Sequence, residues 1–445
     1  MTKSITKTPR YLALAVLDRV QRGAYSNLQL NSSLKKAQND ADRRLITNLV
    51  YGVLQHRLTL DYQIEPFVHQ KLDDWVHALL LMSVYQYEYL DRIPDWAVTN
   101  EAIEIARVRG NAGIRRFVTG VLHAYLKRGP RDLQQISDPV KYWTIKESVP
   151  EWLVHELSNQ YGNDQMKAVL TSINQPAKMS ARVNTYRQFV AQAQIELAAE
   201  GVETAASKVA ADGLVIKSGD LLHSKAFMNG DVTVQDESAM LAVEAMQLKG
   251  DEKVLDACAA PGGKTGQIAT SLANHNGKVI ALDIHPHKVQ LIMRNMARLG
   301  LADVVEAQAL DARKVGQEYE DESFDRILVD APCSGIGLIR RKPEIRYDKT
   351  LADSKHLHEI QLEILRAVAS KVKKGGIIVY STCTILQQEN DATVQAFLSE
   401  QSSFKLLKVK TKRAIKSDRQ SDTLTILPSD YGSDGFFIAC LQRVK

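Results

Sequence analysis

The chain has 445 residues, with 57 basic and 52 acidic side chains, a net charge of +5 and 44% hydrophobic residues. Such a composition fits two to four globular domains with sizeable cores, and three is the working division. No apolar run approaches the roughly 18 residues of a membrane span. The basic start MTKSITK leads into apolar positions broken by Asp18 and Arg19, with no small-residue cleavage site, and Cys258, Cys333, Cys383 and Cys440 include no CxxC pair. A membrane anchor, export, a disulfide framework and a metal site are therefore not expected, and a reducing, cytoplasmic setting is. The charge is unevenly spread: 19 basic against 12 acidic side chains up to Arg131, net +7, and 38 against 40 beyond it. A polyanion such as RNA would meet the first part, although a solvated helical surface accounts for the same surplus.

From Pro9 to about Arg128 the apolar residues recur at helical spacing, as in YLALAVLDRV, RRLITNLVYGVL, WVHALLLMSVYQYEYL and IRRFVTGVLHAYL, which predicts an all-α domain over 1–135. Gly23, Pro66, Pro94 and Gly129-Pro130 mark its loops. Residues 140–235 open with the helix-like VPEWLVHELSNQYG. They continue with alternating pieces, MSARVNTY and GLVIKSG, around a second helical segment, so a small α+β module is expected. Over 236–445 the β-type runs VLDACA, VIALDI, FDRILVD and GGIIVYST alternate with helical stretches, the pattern of a doubly wound, Rossmann-like parallel sheet.

The first of these runs leads into DACAAPGGKT, Asp256 to Thr265, a glycine-bearing loop between strand and helix where backbone N–H groups can approach a ligand. Gly263-Lys264-Thr265 matches the end of a nucleotide-phosphate loop, but Cys258 stands where that motif needs a glycine. Asp283 ends the second strand and suits the hydroxyls of a ribose. Asp311 follows VVEAQAL and suits the exocyclic amine of an adenine; either carboxylate alone would equally cap the next helix. Cys333 lies three residues past Asp330, and Cys383 three past Tyr380, each directly after a core strand in a polar, turn-forming context. Adjacent strands would bring both thiols to the crevice at the carboxyl ends of the sheet. Cys258 and Cys440 read more simply as small buried hydrophobes.

DACAAPGGKT, DAPCSG followed by RRKPEIRY, and YSTCT together resemble the motif set of the RNA cytosine-5 methyltransferases, in the same order and spacing. LVYGVLQHRLTLDY and IRRFVTGVLHAYL are similar to the NusB-like RNA-binding domain that precedes the catalytic part in the RsmB (Sun/Fmu) branch. The resemblance spans nearly the whole chain, most strongly 235–445. It implies transfer of a methyl group from S-adenosylmethionine to C5 of a cytosine, cytosine 967 of 16S rRNA in that branch. Cys383 would be the nucleophile that adds to C6, Cys333 would assist proton removal and release, and Asp330 would meet the cytosine edge. Chemistry alone does not decide which thiol attacks, since in the related DNA enzymes the Pro-Cys cysteine does so. The resemblance also places Cys258, Ala259, Ala260, Pro261, Gly262, Gly263 and Lys264 around the methionine end of the cofactor, with Asp283, Asp311 and Asp330 completing its site.

Lys264, Arg340 and Arg341 are the cations in view for ionising the thiol. LIRRKPEIRY, with Arg340, Arg341, Lys342 and Arg346, has the composition to hold an unpaired or extruded nucleotide, or simply to be solvated, and Arg115 and Arg116 are further RNA-binding candidates. Asp236 is expected to cap the first catalytic-domain helix and to help the cofactor pocket. The partner implied is 16S rRNA, naked or in an early small-subunit assembly, met by a monomer. Methylation of transfer RNA, or antitermination-like RNA binding on a non-catalytic scaffold, are the competing readings.

Overall fold

The computed structural model describes residues 5–24 and 26–445. The first four residues, with Lys3 of the basic start, and Tyr25 lie outside the described residues. The chain forms two units, Met1–Asn174 with Lys342–Asp348, and Gln175–Arg341 with Lys349–Lys445.

The first unit is helical throughout, as the 3.6-residue periodicity predicts. Its helix Asp74–Tyr89 is buried over an unbroken run from Ala78 to Gln86, mostly apolar, so it is enclosed on every side and serves as the centre against which the others pack. Helix Asp40–Gln55 crosses it at Gly52, where a Cβ would lie 2.0 Å from the Tyr85 ring. That close approach is what the glycine inside LVYGVL provides.

Helices Pro139–Glu147, Glu151–Tyr161 and Asn163–Ile173 also belong to this unit, although the sequence division assigns them to the middle module. They are bonded to it by polar groups: Thr59 Oγ1 donates to the Ile145 carbonyl at 2.5 Å and the Leu58 N–H to Ser148 Oγ at 2.8 Å.

Arg346 corrects the sequence reading. Expected to face RNA, it is 0% exposed, and its guanidinium donates to the carbonyls of Gln55 (3.0 Å), Glu147 (3.0 Å) and Ser148 (3.1 Å) and to Asn174 Oδ1 (3.2 Å). A planar fork with several donors is suited to gathering carbonyls from separate helices, and its unpartnered Nε is buried and so closed to phosphate.

In the second unit β1 (Met179–Val183), β2 (Glu203–Ala206), β3 (Gly213–Ser218) and β4 (Val232–Val234) form an antiparallel sheet in the order β2-β3-β1-β4. β5 (Lys253–Asp256), β6 (Lys278–Asp283), β7 (Val305–Ala309), β8 (Phe324–Asp330) and β9 (Val372–Thr382) are mutually parallel. β10 (Phe404–Leu407), β11 (Leu424–Ile426) and β12 (Phe436–Arg443) complete a sheet of order β10-β12-β9-β8-β5-β6-β7, with β11 on β12.

The sheet is mixed where a parallel one was expected, because β12 runs antiparallel to β9, β10 and β11. The short connection from Ile426 to Phe436 leaves no room for a crossover, so the chain must turn back on itself. Strand order reverses between β5 and β8, and the crevice outside their carboxyl ends is where such sheets bind ligands.

Replacing Arg346 with Met is expected to lower the unfolding free energy by about 3–5 kcal/mol, since carbonyls ordered around a buried cation lose their partner. Lys342→Ala, at an exposed neighbour, should stay within about 0.5 kcal/mol. Urea melts of the two variants test the contrast.

Candidate active site

The loop after β5 turns through Gly262 at φ +99°, a left-handed conformation that favours glycine, and the helix Gly263–Leu272 begins at once. A cavity of about 190 Å³ opens there, lined by Gln235, Asp256, Cys258, Gly263, Lys264 and Asp330 among others. Asp256 is buried, accepts from Thr265 Oγ1 at 2.7 Å through one oxygen, and has no partner for Oδ1. Burial pushes its pKa up to about 7. An unpartnered buried carboxylate oxygen beside free helix N–H groups suits a ligand that carries both positive charge and hydrogen-bonding groups.

Cys258 lies among four carboxylates: burial first, then the charges of Asp256, Asp330, Asp283 and Asp311, drive its pKa upward. Its thiol is therefore unreactive, while the acidic ring around it favours a cation. Asp283, at the end of β6, accepts from the His285 N–H at 2.9 Å. Asp311 caps the turn Ala312–Gln317, and both its oxygens are held by Arg313, whose hydrogen bonds lower its pKa. Of the two carboxylates expected to read an adenosyl group, Asp311 is thus already engaged by its own chain.

Cys333 and Cys383 meet, with their sulfurs 3.1 Å apart. The parallel register pairs Asp330 with Ser381, and the two loops leave the sheet side by side. Asp330 is fixed between Ser381 Oγ and Lys264 Nζ, each at 2.8 Å. Lys264 also sits 4.9 Å from the Phe436 ring centroid. Burial opposes its charge, yet Asp330, with a further contribution from Cys383, holds its pKa above the ordinary value. Cys333 is different: its contact with Cys383, burial and the charge of Glu389 raise its pKa well above that of a free thiol. A cation thus stands near one sulfur and an anion behind the other.

Glu389, Asn390, Gln361 and Ser381 were not singled out from the sequence. Glu389 is 0% exposed and accepts from Ser334 N (2.7 Å), Ser354 Oγ (2.9 Å) and Gln361 Nε2 (3.2 Å), while its own carbonyl takes the Tyr380 hydroxyl at 2.6 Å. It clasps the loop of Cys333 to that of Cys383. Asn390 completes the clasp by accepting from Thr382 Oγ1 and donating to the Thr384 carbonyl. The available signal was an acidic residue six positions beyond Cys383, which spacing alone does not distinguish from a helix cap.

The glycines of SGIG have a role of their own. The Gly337 N–H donates to the Cys383 carbonyl at 3.0 Å, and a Cβ there would lie 2.2 Å from the Gly435 carbonyl oxygen.

Arg340 and Arg341 wall the site rather than reach out of it. Arg340 donates to the carbonyls of Gly432 (2.6 Å) and Pro428 (2.8 Å). Arg341 bridges Asp434 (2.7 Å) and Asp236 (2.8 Å). The expected phosphate contacts are corrected for both, because their donors face protein acceptors, and neither is the cation next to a thiol; Lys264 is. Asp236 caps helix Glu237–Ala245 as expected, but its second oxygen goes to Arg341, and its neighbour Gln235 lines the cavity instead. Lys342, Arg115 and Arg116 are exposed. Cys440 is a core residue whose pKa burial pushes up to about 12.

Residues 243–442 match the family described as 16S rRNA methyltransferase RsmB/F, residues 7–127 the NusB family, and residues 149–220 an RsmF/B-like methyltransferase ferredoxin-like domain. The chain is 44% identical, over 98% of both chains, to the probable ribosomal RNA small subunit methyltransferase B of Bacillus subtilis (strain 168). It is 33% identical, over 93% of both, to ribosomal RNA small subunit methyltransferase B of Vibrio cholerae. Among solved structures, PH0851 superposes with a TM-score of 0.85 at 26% identity over 99% of each chain. The NSun6 of Pyrococcus horikoshii, solved with SFG, gives 0.59 at 22% identity over 66% of this chain and 98% of that one, a likeness of fold.

Two outcomes follow from the buried carboxylates. The unfolded chain releases the Asp256 proton near pH 4 and the folded chain only near 7, so the stability this group contributes is complete below about pH 4 and lost as pH rises through about 7. Asp256→Asn should therefore gain on the wild type in urea melts from pH 4 to 7, and level off above. Glu389→Ala strands several buried donors, and its melts should show a loss of about 3 kcal/mol or more.

Proposed function

This chain belongs to the RsmB family of ribosomal RNA small subunit methyltransferases, and we propose that it methylates C5 of a cytosine in 16S rRNA, cytosine 967 by its resemblance to that branch, through a covalent adduct on Cys383. It is an S-adenosylmethionine-dependent RNA methyltransferase. When bound, the cofactor supplies an electrophilic methyl group on a positively charged sulfur. The residues present fit it: the unpartnered Asp256 oxygen and the acidic ring around Cys258 suit its charges, Gly263 leaves the loop open, and Asp283 stands at a strand end for the ribose. Asp311, already held by Arg313, would share its oxygens with the adenine.

Cytosine C5 is a poor nucleophile until a thiolate adds to C6. The observation that carries the assignment is the contrast between the two sulfurs: Lys264 bears on Cys383, whereas Glu389 and Cys383 itself keep the proton on Cys333. Cys383 attacks C6, the C5=C6 electrons are freed toward C5, and Asp330, oriented by Ser381 and Lys264, accepts from the amine edge of the ring. Once Cys383 is bonded to carbon, the main influence raising the Cys333 pKa is gone. Cys333 then loses its proton to solvent and takes the proton from methylated C5. The electrons of that C–H bond restore C5=C6 and expel the Cys383 thiolate.

The target base must be unpaired or flipped out to admit the sulfur. The protein acts as a cytoplasmic monomer on 16S rRNA, naked or in an early assembling subunit. Its parts divide the work: the NusB-like 1–135 holds RNA with the exposed Arg115 and Arg116, and 236–445, which carries the exposed Lys342, performs the transfer.

With labelled S-adenosylmethionine and unmodified 16S and transfer RNA, the wild type should label 16S RNA. Cys383→Ala should lose at least about 10³-fold in rate, and Cys333→Ala should accumulate a protein–RNA adduct on denaturing gels. Labelling of transfer RNA alone, or an adduct trapped by Cys383→Ala, would overturn this reading.

A further inference from the structure

The segment Phe404–Arg419 carries seven basic side chains and one acidic one, Asp418, in the part of the chain whose net charge is otherwise slightly negative. Its first four residues are β10 and the rest leads on toward β11, both strands paired to β12, so the basic residues from Lys408 onward form an excursion thrown out from the edge of the sheet. The excursion is anchored. Val409 and Ile415 are buried in the main core of this unit. Arg419 donates to the carbonyls of Thr423 (2.7 Å) and Lys416 (3.1 Å), Lys408 donates to the Arg419 carbonyl (3.0 Å), and Lys416 pairs with Asp430. The Lys412 N–H is held by the largely buried Glu244 at 2.8 Å and its ammonium by Asp212 at 3.1 Å.

Two non-glycine residues of the loop, Ala414 (φ +49°) and Lys416 (φ +47°), take the left-handed conformation, which persists only where surrounding contacts enforce it. The cations are thus divided by role. Lys408, Lys416 and Arg419 fasten the loop, while Lys405, Lys410 and Arg413 are exposed and, among the described residues, have no side-chain partner. Beside them an open groove of about 400 Å³ is lined by Lys410 and Lys412, by Val243 and Leu248, and by the carboxylates Asp212 and Glu244, both of which Lys412 engages.

We infer that the exposed cations of β10 and of this loop form a phosphate-binding track for the RNA substrate, outside the catalytic crevice, with Lys405, Lys410 and Arg413 as its contacts. The inference rests on the methyltransferase reading above for the identity of the polyanion. A solvated charge run needs no rigid support, whereas contacts to a backbone of regularly spaced phosphates gain from cations held in place, because less side-chain and loop freedom is lost on binding. Such contacts are independent of base sequence and act through counterion release. The track therefore sets affinity and orientation and leaves chemistry at the cysteines unchanged.

The test compares the wild type, the triple variant Lys405→Ala/Lys410→Ala/Arg413→Ala and the charge-keeping variant Lys405→Arg/Lys410→Arg/Arg413→Lys. Each is measured for binding of unmodified 16S RNA across a salt series, for methylation, and for S-adenosylmethionine binding as a check on folding. The expected result for the triple variant is a salt slope shallower by about 2–3, in line with about 0.7–0.9 per lost phosphate contact. Its KM for RNA should rise about tenfold with kcat unchanged, and the charge-keeping variant should restore both. An unchanged salt slope and KM in the triple variant would overturn the track, as would a loss of kcat alone. Normal wild-type binding of RNA without methylation would overturn the catalytic reading and leave the track standing.

Discussion

The register of one pair of parallel strands governs the active site. β8 and β9 align Asp330 with Ser381, and everything chemical follows from where the chain goes in the next three residues. A slip by one residue would turn the side chains of one strand to the opposite face, breaking the Ser381–Asp330 hydrogen bond and separating two sulfurs that now stand 3.1 Å apart. The register is secured from both sides. Val329 and Tyr380, paired across it, are fully buried in one cluster, and Glu389 clasps the loops beyond the strand ends.

From this frame the electrostatics sort themselves. Two thiols fifty residues apart in sequence stand in unlike surroundings: Lys264 from the glycine loop lies on the side of Cys383, while the contact with Cys383, burial and the charge of Glu389 raise the pKa of Cys333. Lys264 is held by Asp330, whose other oxygen takes the Ser381 hydroxyl. One ion pair thus joins the glycine loop to the end of β8 beside the two sulfurs, and its partial burial strengthens the interaction.

The basic residues carry a different lesson. Arginines near a catalytic loop invite assignment to the nucleic acid, yet Arg340, Arg341 and Arg346 all turn inward to carbonyls and carboxylates. Their number of donors makes arginine the residue best able to join several chain segments at once. Exposed cations lie at Lys342 beside them, on the helix of Arg115 and Arg116, and on β10 and the loop that follows it, the last outside any of the motifs.

Much was legible in the sequence because it depends on local pattern. Helical periodicity marked the N-terminal bundle, and apolar runs marked β5, β6, β8 and β9, since strands covered on both faces read as continuous hydrophobic stretches. Rules about strand ends placed Cys333 and Cys383 together before any coordinates. β2, β4 and β11 escaped because three or four residues are too few to show a period, and β12 escaped because its direction depends on the turn before it. The fates of Asp311, Arg341, Arg346 and Glu389 belonged to the tertiary structure alone. Whether a charged side chain meets solvent, substrate or another part of its own chain is decided by which distant segments surround it, Asp434 and Asp236 for Arg341, or Ser354 and Gln361 for Glu389. A linear sequence records what a residue can bond, and only the fold brings the partner within 3 Å.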